Sequence, residues 1–387
     1  YRQRIKLIDK SAISKYSEFK YDPIVYSSGV YKNIFGVKII KPSGKEEVIN
    51  LEEAVDIKDG DKVIKKKIAI PNLNKGDIID FFFVTIEEVP TSAKFKLFSP
   101  VYYSLSDEMP ILTQKIEFKV LRKCYINFKS INGAPTIKAI PSVSEDYDSY
   151  AIIDKDREKS KDNKWIFKYR QLPTIKFQIA YSKNDNKIDS RFFPGEPGVV
   201  KKTVSEQEIL TLLNENLHPH EDARINEFFN KKPNDQLEGE ELIAKINEFY
   251  KVRMGMNNCR KYDYSENLSS DFQAINYIST FLKSKNIAYD IVIAPRKHLS
   301  SIQDVIMVND LLFFLKVNLK NKAYFIYPPS SFSNFGEINP EVEGVEAFVM
   351  KPSPIKGTSL KKITLPSISA EENISTVISR TSIDRDD

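Results

Sequence analysis

The stretch from Asn267 to Arg296, NLSSDFQAINYISTFLKSKNIAYDIVIAPR, constrains the fold more than any other, because it reads as a helix followed at once by a buried strand. Ile275, Ile278, Phe281 and Leu282 recur at spacings of three and four, which places them on one helical face. Ser269, Ser270 and Asp271 stand where a side-chain oxygen can accept from an orphan N–H of the first turn and cap the helix. The helix is expected to stop at Ser284-Lys285-Asn286. Ile287 to Ala294 then has the β-branched run of a strand covered on both faces.

This helix-turn-strand unit resembles the core of the transglutaminase-like superfamily, whose fold is related to that of the papain-like cysteine proteases. The resemblance implies a cysteine nucleophile at the start of the helix, where the helix N-terminus lowers a thiol pKa. No cysteine stands there: without gaps the position falls on Asp271, and with a two-residue slip on Ser269. A carboxylate is a poor acyl acceptor and a serine needs a strong base beside it, so neither replaces a thiol unaided. The resemblance further implies a histidine on the following strand and an aspartate at the end of the next one, the base and its orienter. Those positions fall on Leu312, in Leu311-Leu-Phe-Phe314, and on Tyr327, before Pro328-Pro329. All three catalytic roles are therefore expected to be lost.

With 387 residues the chain exceeds the usual size of one core, so two domains and a further fragment are expected. From Tyr1 to about Ile179 short strand-like runs alternate with turn signals such as Pro42-Ser-Gly44, Asn74-Lys-Gly76 and Asn132-Gly133. The runs are Ile34 to Ile40, Lys66 to Ile70, Ile78 to Ile86, Gln114 to Leu121 and Trp165 to Tyr169, a pattern that points to one antiparallel β-sandwich over residues 1–180. The same stretch looks like the domain of unknown function that precedes transglutaminase-like domains in bacterial envelope proteins, chiefly through IAIPNLNKGDIIDFFF, Ile68 to Phe83. That resemblance implies a periplasmic or cell-surface location. A polar linker, 181–204, carries Pro194-Gly-Glu-Pro-Gly198, and a capping box at Ser205 to Glu208 opens the helices. Gly239 to Tyr250 forms a second helix with Leu242, Ile243, Ile246, Phe249 and Tyr250 on one face. The transglutaminase-like domain is expected over 205–350, with strands at Leu311 to Val317 and Ala323 to Tyr327, and a further β segment begins at 351–387. The fold class is α+β.

Charge and composition narrow the function. The net charge of +5 is spread among 53 acidic residues, and the densest basic run, Lys62 to Lys67, reads as a solvated strand edge that discourages edge-to-edge pairing, so no nucleic acid is expected as a partner. No run of about 18 apolar residues occurs, so no membrane-spanning segment is expected. Cys124 and Cys259 are too few for a disulfide framework or a zinc site and read as free thiols. His218 and His220 lie beside Glu221 and Asp222, yet Pro219 and the lack of a further cluster argue against a metal. His298 reads as a loop histidine. The expectation is a non-catalytic module, without metal or cofactor, that binds a protein, peptide or glycan. Two alternatives stand beside it. One is a cysteine or serine hydrolase or acyltransferase with relocated residues, in which Cys259, Ser269 or Ser270 meets a histidine or lysine base. The other is a purely structural spacer.

Overall fold

The computed structural model describes residues 1–387 except 22–30, 60–61, 88–94, 143, 161–166, 183–190, 219, 222, 259–267, 321, 329–334, 353–359, 370–378 and 380–387. The chain divides into two compact units, Tyr1–Ala93 and Lys94–Asp387. Antiparallel sheets dominate a mixed α+β fold, with the longer helices in the second unit.

The first unit contains β1 (Arg2–Lys6), α1 (Lys10–Lys15), β2 (Glu18–Tyr21), β3 (Tyr31–Ile40), β4 (Glu46–Val48), β5 (Val55–Asp59), β6 (Lys62–Ala69) and β7 (Ile78–Glu87). One sheet runs β1-β7-β3-β4 and the other β2-β6-β5. Alternation sends Ile5, Val37, Ile39 and Ile79 from the first sheet against Ile68 and Ile70 from the second, giving this unit its own core. On the outer face Asp80 receives Arg2 through two hydrogen bonds (2.8 and 2.5 Å) and Arg4 at 3.0 Å. The lysine run is not an edge: β6 is the central strand of its sheet, and acidic residues on its two neighbours answer the charge, with Lys67 at 2.5 Å from Glu18 and Lys66 at 3.5 Å from Asp56.

The second unit begins with β8 (Phe95–Leu97), β9 (Val101–Ser104), β10 (Ile111–Leu121), β11 (Cys124–Ile131), β12 (Lys138–Ile140), β13 (Tyr147–Arg157), α2 (Lys168–Gln171), β14 (Thr174–Ser182) and β15 (Val200–Lys201). The sheet β10-β13-β12 lies against β15-β11-β14-β8, and Val120, Tyr150 and Ile152 meet Ile126, Phe128 and Ile175 between them. The single sandwich expected over 1–180 is thus two pairs of sheets with separate cores, because the apolar faces of β1 to β7 are satisfied among themselves. Two further expectations change. Of the run Trp165 to Tyr169, Trp165 and Ile166 lie outside the described residues, while Lys168–Gln171 is a short helical turn in which Phe167 O accepts from the amides of Arg170 and Gln171. The described part of the linker, 191–204, packs on the second unit: Phe192 and Phe193 are buried, and β15 adds to β11 in parallel.

The helices follow: α3 (Glu206–Asn216), α4 (Ala223–Phe229), α5 (Gly239–Asn258) and α6 (Leu268–Ser284). Ser205 caps α3, its Oγ accepting from Glu208 N (3.3 Å) while the Glu208 carboxylate accepts from Ser205 N (2.8 Å). The last strands are β16 (Tyr289–Pro295), β17 (Leu311–Leu319), β18 (Lys322–Ile326), β19 (Glu346–Met350) and β20 (Lys361–Thr364), ordered β18-β17-β16-β19-β20. α6 stops because Asn286 adopts φ +55°, Ile287 N bonds to Leu282 O (2.9 Å) and Asn286 N bonds to Lys283 O (3.1 Å), a Schellman closure with asparagine in the glycine role. The segment beyond residue 350 supplies β20 to the same sheet. Among the described residues no helix is long and apolar enough to cross a membrane.

Candidate functional site

The central strands β16 and β17 of the five-stranded sheet are buried on both faces, and strand alternation decides which residues meet α6. Ile291, Ile293, Leu311, Phe313, Leu315 and Ile326 face the helices and join Phe272, Ile275, Ile278 and Leu282 of α6 in one core. At the start of α6 the Phe272 ring lies on the Phe313 ring, with centroids 4.7 Å apart. Leu312 and Tyr327 belong to the opposite face, in a separate cluster with Val292, Ala294, Phe314, Phe325 and Val342. The two are brought together there through Phe314, whose ring lies 4.8 Å from that of Tyr327. Their side chains take the sheet face opposite α6. The Tyr327 hydroxyl accepts from Asn339 N at 3.2 Å, and burial pushes its pKa up to about 12, only partly offset by that amide.

α6 begins at Leu268, so Ser269, Ser270 and Asp271 fall within its first turn instead of capping it. The side chains of Ser269 and Ser270 lie outside the described residues, as does Cys259. Asp271 is buried at 4% exposure beside the Phe272–Phe313 contact, where a first-turn carboxylate is favoured by the helix dipole. Cys124 is a buried free thiol in the sheet-on-sheet core, and burial raises its pKa. His218 and His220 are exposed after α3, with His220 edge-on to Tyr277 at 4.5 Å, and His298 is half-buried in a turn. No group of three or more His, Cys, Asp and Glu able to hold a metal occurs among the described residues.

A second constellation lies on the polar face of β11 and β14. On β14, Ile175, Phe177 and Ile179 turn into the core between the sheets, so Lys176 and Gln178 turn the other way, and the register pairs them with Lys129 and Asn127 of β11. The loop from Ser300 to Asp310 lies on this face. Lys176 Nζ donates to Asp310 Oδ2 and to Ser300 Oγ, both at 2.9 Å, with the Lys176 and Asp310 side chains fully buried. Asp310 Oδ2 also accepts from the amides of Ile306 (2.8 Å) and Met307 (3.0 Å), and the Tyr102 hydroxyl donates to Oδ1 at 3.0 Å. Asn127 Nδ2 donates to the carbonyls of Phe193 (3.0 Å) and Ile306 (3.1 Å). Burial lowers the Lys176 pKa, and attraction to Asp310 opposes the shift. Asp304 stays below the ordinary carboxylate range: burial works against this, but a hydrogen bond from Ser301 and the charge of Lys129 outweigh it.

Lys176 beside Ser300 has the composition of a serine–lysine pair, but two facts remove it from surface catalysis. Ser300 is 1% exposed and donates its own proton to Ser301 O (2.9 Å), and both the Lys176 and the Asp310 side chains are sealed from solvent and from any substrate. Sequence reasoning missed this cluster. The alternation Thr174, Lys176, Gln178 resembles a solvated strand face, and the partners of Lys176, Ser300 and Asp310, arrive from 124 and 134 residues away.

The fold and the site define an α+β protein built mostly of antiparallel sheet, in which a long helix packs its first turn on an aromatic-filled sheet. Among solved structures the chain is similar to the crystal structure of a "putative protease" from Parabacteroides distasonis, with 13% identity, a TM-score of 0.52, and coverage of 95% of this chain and 68% of that one. At that identity the likeness speaks to the fold alone. No family model matches the sequence, and no curated protein matches it.

Proposed function

We propose that this chain is a non-catalytic protein with a transglutaminase-like helix-and-sheet core, acting as a binding or assembly module of the cell envelope. The observation that carries the reading is the Phe272–Phe313 contact at the start of α6. A cysteine protease or transglutaminase site needs a nucleophile, a base and admitted water at that point, and the described side chains packed beside Asp271 are apolar rings that supply none of these. Leu312 and Tyr327, where the resemblance puts base and orienter, are apolar or aromatic and face away from the helix. The envelope location rests on the resemblance of the N-terminal strands to domains preceding such modules. The occupant is a protein, peptide or glycan.

The similarity to a structure described as a protease gives the hydrolase reading its support, and one experiment separates the two. The full chain is assayed for hydrolysis of a fluorogenic casein and for amine incorporation into casein, before and after iodoacetamide. No turnover above a heat-denatured control is expected in either assay. Turnover abolished by alkylation overturns the proposal and assigns a relocated thiol, and turnover abolished by a serine-directed fluorophosphonate assigns a serine.

A further inference from the structure

We propose that Lys176 and Asp310 are joined by a side-chain amide bond, formed autocatalytically once the second unit has folded. The proposal stands apart from the function proposed above. Nζ and Oδ2 are 2.9 Å apart, and both side chains have 0% exposure. Burying an ion pair strips both charges of their hydration, so a neutral amide in the same place is favoured, and the water it releases moves to bulk.

The groups around the pair match the needs of amide formation. The ammonium passes one proton to the carboxylate, and the nitrogen lone pair attacks Cγ, forming the C–N bond. Charge gathering on Oδ2 is held by the amides of Ile306 and Met307, which already point at that oxygen as an oxyanion hole does. The Tyr102 hydroxyl donates to Oδ1 at 3.0 Å and so stabilises the oxygen that leaves, while the protons it takes up come from the ammonium through the carboxyl group itself. Oδ1 departs as water with two of the three ammonium protons, and the third stays on the amide nitrogen. Charge goes from +1 and −1 to zero, and no oxidant or cofactor is consumed. Ser300 Oγ accepts an Nζ proton at 2.9 Å and so aims the nitrogen lone pair. Burial of Lys176 lowers its pKa and makes the neutral amine more accessible, which supports the same step. The resulting bond ties β14 to the loop before β17, residues 134 apart in sequence.

Intact mass spectrometry of the denatured full chain tests this. The expected mass lies about 18 Da below that of the sequence, one water lost per amide formed, and a tryptic digest yields a branched peptide joining Lys176 to Asp310. Lys176→Met and Asp310→Ala should each restore the full mass. Tyr102→Phe, which keeps the ring, should slow appearance of the lighter species in freshly refolded protein. Wild-type protein that keeps its full sequence mass after days at 37 °C overturns the proposal, as does a mass deficit that persists in Lys176→Met. The branched peptide is read from wild-type protein alone, so poor folding of a variant does not blunt the test.

Discussion

Replacing Phe313 by alanine probes whether the space at the start of α6 is filled or open. Phe313 is 1% exposed and its ring lies 4.7 Å from that of Phe272, itself 4% exposed. A buried phenylalanine removes on the order of 150 Å² or more from water, which at about 25 cal/mol per Å² corresponds to roughly 4 kcal/mol. Phe→Ala substitutions in cores cost about 3–5 kcal/mol, the spread reflecting how far the surroundings collapse. The assay is urea denaturation followed by far-UV circular dichroism, with the transition of the second unit resolved from that of the first. At a slope of about 3 kcal/mol per M the midpoint should fall by about 1 M or more. Benzene should raise the midpoint of the variant and leave the wild type unchanged, because the void left is apolar and sealed. A loss below about 1 kcal/mol would show that the ring already faces solvent, and the argument for a closed site would fail.

Leu312→His with Tyr327→Asp should destabilise the second unit by several kcal/mol and create no hydrolytic activity, since both polar groups would be buried on the face away from α6; an unchanged melting temperature would refute this. Asp80 is held at about 2 by hydrogen bonds from Arg2, against an unfolded value near 3.8. Its folded pKa is depressed, so it contributes stability above the unfolded pKa that is lost as pH falls from about 4 to about 2. Asp80→Asn should therefore flatten that part of the acid unfolding curve of the first unit, measured by tryptophan-independent circular dichroism. In a Cys259→Ser background, Cys124 should react with Ellman's reagent only as fast as the second unit unfolds, since the thiol is buried and its pKa raised; stoichiometric labelling within seconds under native conditions would contradict its burial.

Sequence legibility tracked how far each signal had to reach. α6 and its end were readable because Ile275, Ile278, Phe281 and Leu282 repeat with the helical period and Asn286 stands at the turn, all within twenty residues. The capping box at Ser205 and Glu208 was readable for the same reason. The face taken by Leu312 was not legible because Leu311-Leu-Phe-Phe-Leu315 is apolar at every position, so a strand buried on both sides loses the period of two that marks inside from outside. A shift of one residue then exchanges Leu312 for Phe313. The lysines of β6 were legible as a charged strand but not as a central one, because Glu18 and Asp56 come from strands on either side. Lys176 and Asp310 were invisible as a pair: each sits in an ordinary local pattern, and only the fold brings them together.

The two-sided character of β11 and β14 also has a temporal meaning. A chain made from its N-terminus completes β10 to β14 well before the loop from Ser300 to Asp310 exists. The apolar face of β11 and β14 is covered early, by β10 and β13 from the same stretch of sequence. The part of the other face that meets the later segment carries Lys129 and Lys176, charged groups that water solvates well until that segment docks. Had that face been leucine and phenylalanine, the half-made protein would present a sheet ready to stick to its neighbours on the ribosome or in transit. Polar residues that end up buried at the finish thus serve as a solubility device during synthesis, and the desolvation of the pair is deferred to the moment when Asp310 arrives to meet it.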